Sequence, residues 1–322
     1  MKNWKIILLC LFSAVFLLTG LDNPAFAKYP DKKVRYIVNM AAGGSSDMTA
    51  RILVQYANPL LGGRLYVENV TGGGGAIGTR EGAKAPPDGY TITALVTNST
   101  IGPFTIKDFP PLDLFDPLCL IATDPTVFVV KSDSRFKNIQ EFVAYAKAHP
   151  DELTISNAGT GAATYLATAA FGFAAGIQLS QVPYKGAAPA LIAAMGGHVD
   201  GTSAGCSEVL NYVTGKKLKP LVSYSTKRSR LYPDVPTAKE GGFDMNFVQW
   251  RGVGVPKGTP EDVKNLLVDA FRKASQMEAF KKNIEQAGLE LTFLGPKEAG
   301  PWMKAQYETN KALTAKLGLK PE

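Results

Sequence analysis

From residue 34 onward the apolar positions of this 322-residue chain alternate between short β-rich runs and stretches with helical spacing. Residues 34–40, 65–68, 90–96, 127–131, 154–156, 179–182 and 218–223 read as strands, and a further β-like run covers 252–255. The segments between them carry helix signals. Asn138 stands three residues before Glu141, a capping-box arrangement, and Ile139, Phe142, Val143 and Ala146 mark one apolar face that ends before Pro150. Thr259-Pro260-Glu261-Asp262 supplies an N-cap, a proline for the first helical position and two carboxylates at the positive helix end. Strands alternating with helices predict an α/β fold with helices on both faces of mainly parallel sheets.

Two interruptions divide the alternation. Prolines 103, 110, 111, 117 and 125 are expected to break regular structure across 103–125, and a second break runs from Tyr232 to Trp250. A chain that crosses twice between two lobes builds the first from 28–126 and 250–322 and the second from 127–249, with a cleft between them. Lys2 and Lys5 precede a 16-residue apolar run, 6–21, that ends in Ala25-Phe26-Ala27. This is the pattern of a signal peptide cleaved after Ala27, and the run is shorter than the roughly 20 residues a membrane span needs. A periplasmic location is expected.

Composition narrows the chemistry. At 45% hydrophobic and 20% charged residues the chain is neither disordered nor fibrous. Its net charge of +7 becomes +6 once Lys2, Lys5 and Asp22 are removed with the leader. The basic groups around 216–219 and 227–230 lack interleaved aromatics, so nucleic acid is not an expected partner. Cys119, Cys206, His149 and His198 show no metal-ligand spacing, and no metal or cofactor is expected. The two cysteines fit a disulfide or two separate buried thiols equally well.

Glycine-rich turns carry most of the candidate chemistry. Ala41 to Asp47, Thr71 to Gly75 and Asn157 to Gly161 each lie where a strand ends and a helix begins. Glycine lets backbone approach a ligand, and the free N–H groups at a helix start favour an anion. Gly73 to Gly78 matches G-x-G-x-x-G, but Asp88 follows Gly73 by only 15 residues and precedes the next strand, so the ribose-binding acid of a dinucleotide site is missing. Gly201-Thr202-Ser203-Ala204-Gly205 matches a nucleophile elbow, yet no histidine follows Ser203. A serine hydrolase is the different-class alternative; Ser203 reads better as a hydroxyl lining the cleft. Asp200, taken as ending a strand beside Gly201, is assigned to the cleft, and Lys185 is the one cation in a predicted strand-to-helix turn.

The ordered series Val34 to Val38, Ala42-Gly43-Gly44 with Asp47, Val67-Glu68-Asn69, Gly73 to Gly78, Pro87 to Thr91, Pro183 to Gly186, Gly196 to Asp200 and Gly258-Thr259-Pro260 resembles the solute-binding proteins of tripartite tricarboxylate transporters, the Bug family. The resemblance implies a two-lobed type II periplasmic-binding-protein fold, a Venus flytrap of two mixed sheets flanked by helices. It implies a non-enzymatic monomer that closes on a small organic carboxylate and delivers it to membrane permease subunits; a sensor of the same fold signalling to a membrane receptor is the alternative. Carried over by position, the ligand contacts are Met40, Ala42, Gly43, Gly44, Asp47, Thr97, Asn98 and Ser99 from the first lobe. Asn157, Gly159, Thr160, Gly161, Asp200 and Ser203 answer from the second. Asn39-Met40 and Tyr165-Leu166 depart from the family's usual Pro-Phe and His-Leu, which alters the expected shape of the pocket.

Overall fold

The computed structural model describes residues 29–321, so the expected leader lies outside the described residues. The first elements are β1 (Val34–Val38), α1 (Ser45–Ala57), β2 (Leu65–Asn69), α2 (Ala76–Lys84), β3 (Thr91–Val96), α3 (Asn98–Thr105) and β4 (Phe115–Lys131). Next come α4 (Ile139–Ala148), β5 (Thr154–Asn157), α5 (Ala163–Ala175), β6 (Ser180–Pro183), α6 (Ala187–Gly196), β7 (Gly201–Gly205), α7 (Cys206–Thr214) and β8 (Leu218–Ser223). The chain closes with β9 (Val248–Pro256), α8 (Glu261–Gln276), α9 (Glu278–Gln286), β10 (Glu290–Leu294) and α10 (Pro296–Lys316).

The strands lie in the order β2-β1-β3-β9-β4-β7-β5-β6, with β8 and β10 also pairing with β4. β1 is parallel to β2 and β3, and β5 is parallel to β6 and β7, with a helix between each strand and the next in sequence. β9 is antiparallel to β3 and β4, and β4 is antiparallel to β7, β8 and β10. The sheets are therefore mixed, as the family resemblance implies, and not mainly parallel. The two return strands run against their neighbours, a direction that strand-helix alternation does not reveal.

β4 serves both sheets. Its first part, from Phe115 to Pro125, pairs with β9, and from Thr126 onward it pairs with β7 and β8. This corrects the expectation that prolines break 103–125. Pro103 lies inside α3, and Pro117 and Pro125 lie inside β4. The register on β9 shifts between Pro117 and Cys119 and again between Leu120 and Ala122, and Pro125 sits at the changeover between sheets, so the missing donors fall where ladder pairing is already irregular. Only Pro110 and Pro111, ahead of a short 3-10 turn, interrupt the chain as expected.

Buried clusters flank each sheet. On the first, Tyr36, Leu53, Ile92, Val253, Phe271 and Phe280 pack under α1, α8 and α9, while Leu95, Leu120, Trp250 and Met303 pack on the opposite face. On the second, Phe128, Phe142, Phe171 and Tyr224 form one core, and Val127, Val129, Leu191 and Val209 another. Cys119 and Cys206 are free thiols buried in different clusters. The cap of α4 is as expected: Asn138 Oδ1 accepts the Glu141 N–H at 2.9 Å, and Glu141 Oε2 accepts the Lys137 N–H at 2.7 Å. α8 starts one residue late, with Pro260 itself at the cap and the Thr259 hydroxyl donating to Pro256 O.

Candidate functional site

Parallel pairing places the C-terminal ends of β1, β2 and β3 on one edge, and those of β5, β6 and β7 on another. The glycine-rich turns leave from these edges, and α3 ties them together. Asn98 Nδ2 donates to Gly74 O at 3.0 Å while its Oδ1 accepts the Ala163 N–H at 3.3 Å, and Thr105 Oγ1 donates to Gly161 O at 3.2 Å. The approach is close enough to require glycine: at Gly161, φ +76°, a Cβ would stand 2.9 Å from Thr105 Oγ1. Thr105, Thr160, Gly161 and Tyr165, with Gly318 to Lys320, line a cavity of about 260 Å³.

On these edges α1 after Gly44, α3 after Thr97 and α6 after Gly186 begin without a side-chain cap, whereas the first N–H of α5 is taken by Asn98 Oδ1 and those of α2 by the carbonyls of Gly73 and Gly72. The first N–H groups of a helix have no intrahelical acceptor, and the dipole adds a partial positive charge there. Such ends attract anions. At α7 the protein supplies its own carboxylates: Glu208 Oε2 accepts the Gly205 N–H at 2.9 Å, and Asp124 accepts the Ser207 N–H and hydroxyl at 3.1 and 2.6 Å.

Several sequence-predicted contacts are committed to holding the turns. Asp47, 3% exposed, accepts from Gly43 N and Arg51 Nε at 2.9 Å and from Asn69 Nδ2 at 2.9 Å. Burial pushes its carboxyl up, but these donors outweigh burial and hold it below the ordinary carboxylate range. Asp47 is thus a brace, and the Gly43 N–H is not free. Asn157 Oδ1 similarly takes the Gly159 N–H at 2.9 Å. Thr97 Oγ1 accepts the Trp250 N–H and Ser99 Oγ the Val96 N–H, which fixes α3 to the sheet. Ala42 and Thr160 are exposed, and Met40 is half-buried against the first core. Asn39 turns inward and donates to Thr79 on α2.

Two assignments are corrected outright. Asp200 precedes β7 and accepts from the N–H and hydroxyl of Thr154 at 2.9 and 3.0 Å, which places it at the start of β5, at the other end from Asn157. Ser203 lies inside strand β7, 1% exposed, bonded to the hydroxyls of Thr168 at 2.8 Å and Tyr224 at 3.1 Å. It is a core hydroxyl in regular strand, without the strained turn that exposes a nucleophile. The small residues of β7 hid the strand; a Cβ on Gly201 would stand 2.6 Å from Phe128 Cζ. Lys185 is exposed in the turn before α6, whose Tyr184 N–H donates to Asn157 O.

Sequence reasoning missed Arg251, Gln249 and Asp124, where the strands cross between sheets. Arg251 is 4% exposed; it donates to Trp250 O at 3.0 Å and to Ser45 Oγ at the start of α1, and lies 3.7 Å from Asp124 Oδ2. Burial draws its guanidinium below the usual value and pushes the Asp124 carboxyl up to about 6, with Arg251 opposing that rise. Arginine and aspartate are normally exposed, so only contact with the fold could reveal them as interior. Among the described residues no group of three or more His, Cys, Asp or Glu is placed to hold a metal ion.

The family model described as the tripartite tricarboxylate transporter family receptor matches residues 49–319. A UPF0065 protein of the gbd 5′ region of Cupriavidus necator is 32% identical over 293 residues, covering 91% of this chain and 89% of that protein. Among solved structures, the periplasmic binding protein BugD superposes with a TM-score of 0.83 at 32% identity, over 91% of this chain and 100% of BugD. MatC from Rhodopseudomonas palustris, with bound malate, superposes with a TM-score of 0.78 at 25% identity, over 90% of this chain and 98% of MatC. With the fold of periplasmic binding proteins and a family match over most of its length, this chain belongs to the tripartite tricarboxylate transporter receptor family, a family of periplasmic solute-binding proteins.

Proposed function

We propose that this chain captures a small organic carboxylate between two lobes, 28–126 with 250–322 and 127–249, and presents the closed form to the permease subunits of a tripartite transporter, without chemical change to the solute. The observation that carries the reading is the set of uncapped helix starts of α1, α3 and α6 on two strand edges joined by Asn98 and Thr105. A carboxylate accepts from backbone N–H groups without needing a cation. The bound malate of MatC supports the same class of solute. The change of partners at Pro125 and Thr126 in β4 supports the division into lobes. A ligand that prefers the closed arrangement shifts the population toward it by its difference in affinity for the two forms. The ligand-facing groups are then the backbone around Met40, Ala42 and Gly44, the Asn98 amide and the turn at Thr160 and Gly161.

Thermal-shift screening against small carboxylates tests this. A ligand at 100 times its dissociation constant stabilises the protein by about 2.7 kcal/mol, a readily measured rise in melting temperature. A shift produced only by neutral sugars or by cations overturns the reading.

A further inference from the structure

The two strands that cross between the proposed lobes carry a buried ion pair on one face. β4 and β9 are in register at Asp124 with Gln249 and at Ala122 with Arg251, so Asp124 and Arg251 are diagonal neighbours. They are 0% and 4% exposed, and Arg251 Nη2 lies 3.7 Å from Asp124 Oδ2. Each is fastened to a different helix start. Arg251 Nη2 also donates to Ser45 Oγ, on the first residue of α1, while Nη1 donates to Trp250 O at 3.0 Å. Asp124 Oδ1 and Oδ2 accept the N–H and the hydroxyl of Ser207, in the first turn of α7, at 3.1 and 2.6 Å. A line of contacts thus runs from α1 in one proposed lobe, through both crossing strands, to α7 in the other.

The elements around Asp124 pull on its charge in opposite directions. Burial pushes the carboxyl up to about 6; Arg251 on β9 opposes the rise, Glu208 on α7 adds to it, and the two Ser207 donors oppose it. The Cys206 thiol and the Tyr232 phenol also face this carboxyl, and β10 pairs Glu290, which Arg230 opposes, with Thr123 beside it. β7 ends there at Gly205, where a Cβ would run into the Asp124 carboxyl. Two carboxylates and one guanidinium therefore meet where the lobes join, inside the arrangement in which Asn98 is bonded to both strand edges.

We infer that Asp124 and Arg251 are positioning residues that link closure to protonation: drawing the lobes together on a solute loads a proton onto Asp124, which itself does not touch the solute. The inference rests on the carboxylate-binding reading above and adds how the crossing regulates it. Parting the lobes moves the starts of α1 and α7 relative to each other and wets the crossing, which removes the penalty on the Asp124 charge and returns its carboxyl toward the ordinary value of about 4. A proton held more tightly by the closed form than by the open one strengthens binding at low pH, and that gain is lost as pH rises through about 6.

Calorimetric titration of the full protein with malate, succinate and adipate, with D124N measured in parallel, tests it. The ionisation of the acid itself is common to both proteins and cancels from their ratio. Between about pH 5 and 8 the wild-type affinity is expected to fall about tenfold relative to D124N. E208Q removes the neighbouring carboxylate while its amide oxygen can still accept the Gly205 N–H, and is expected to move the midpoint of the fall to lower pH. R251M removes the opposing cation and is expected to move it to higher pH; a merely structural loss changes affinity without moving a midpoint. If D124N does not fold, D124N/R251M removes both charges and serves as the same reference. Parallel profiles for wild type and reference, or midpoints that stay fixed in E208Q and R251M, overturn the inference while leaving carboxylate binding intact. Absence of binding by all three acids to the wild type is a different result, and removes the carboxylate reading together with this one.

Discussion

Asp47 and Asp124 show how the same side chain takes opposite roles in different surroundings. Three donors stabilise the Asp47 carboxylate, whereas burial disfavours the charged form of Asp124 and lifts it to about 6. The signs follow. For Asp47, with its folded value below the unfolded one, the stabilisation is present above about pH 4 and lost on acidification. For Asp124, the folded protein holds a proton that the unfolded chain releases, so its contribution is full below about pH 4 and is lost as pH rises through about 6. Denaturant unfolding at pH 4 to 7 is expected to show D124N gaining stability relative to wild type as pH rises; parallel profiles contradict the assignment. Gly161 gives a second residue-scale prediction. Its positive φ and the 2.9 Å approach to Thr105 mean that Gly161→Val forces the α3 contact apart, at about 1–3 kcal/mol of backbone strain. A carboxylate-dependent thermal shift that survives this change excludes the turn from the site.

Elements differ in how openly the sequence announces them. Asn138→Ala removes the cap of α4 and is expected to cost about 1 kcal/mol in a melting or denaturant measurement, because the Glu141 N–H loses its acceptor. Phe128→Ala, in the buried aromatic group with Phe142 and Phe171, is expected to cost about 3–5 kcal/mol. Both rest on features legible in the sequence: a polar cap with its carboxylate three residues on, and an apolar run with β-branched neighbours. The first part of β4, 115–126, and β7 were not legible. Prolines masked the first and small residues the second, since their pairing depends on long-range partners, β9 for a β4 that bulges at residues 118 and 121 and the Phe128 ring against Gly201 for β7.

At the scale of the molecule, carboxylate binding that closes two lobes lowers the radius of gyration, and small-angle scattering with and without a stabilising acid checks this; equal radii argue against a closing receptor. The site is only partly written in the chain. Glycine placement is a local property, so the turns at 41–47, 71–75 and 157–161 could be read from the chain. Tertiary structure decided which groups those turns keep free. It turned Asp47 onto Gly43, moved Asp200 to the far end of β5, sealed Ser203 among hydroxyls, and buried Arg251 between α1 and Asp124. Local sequence determines backbone preference, because dihedral sterics and capping act over a few residues. Burial and partner choice depend on what two distant strands bring together, and here that is the crossing of β4 and β9.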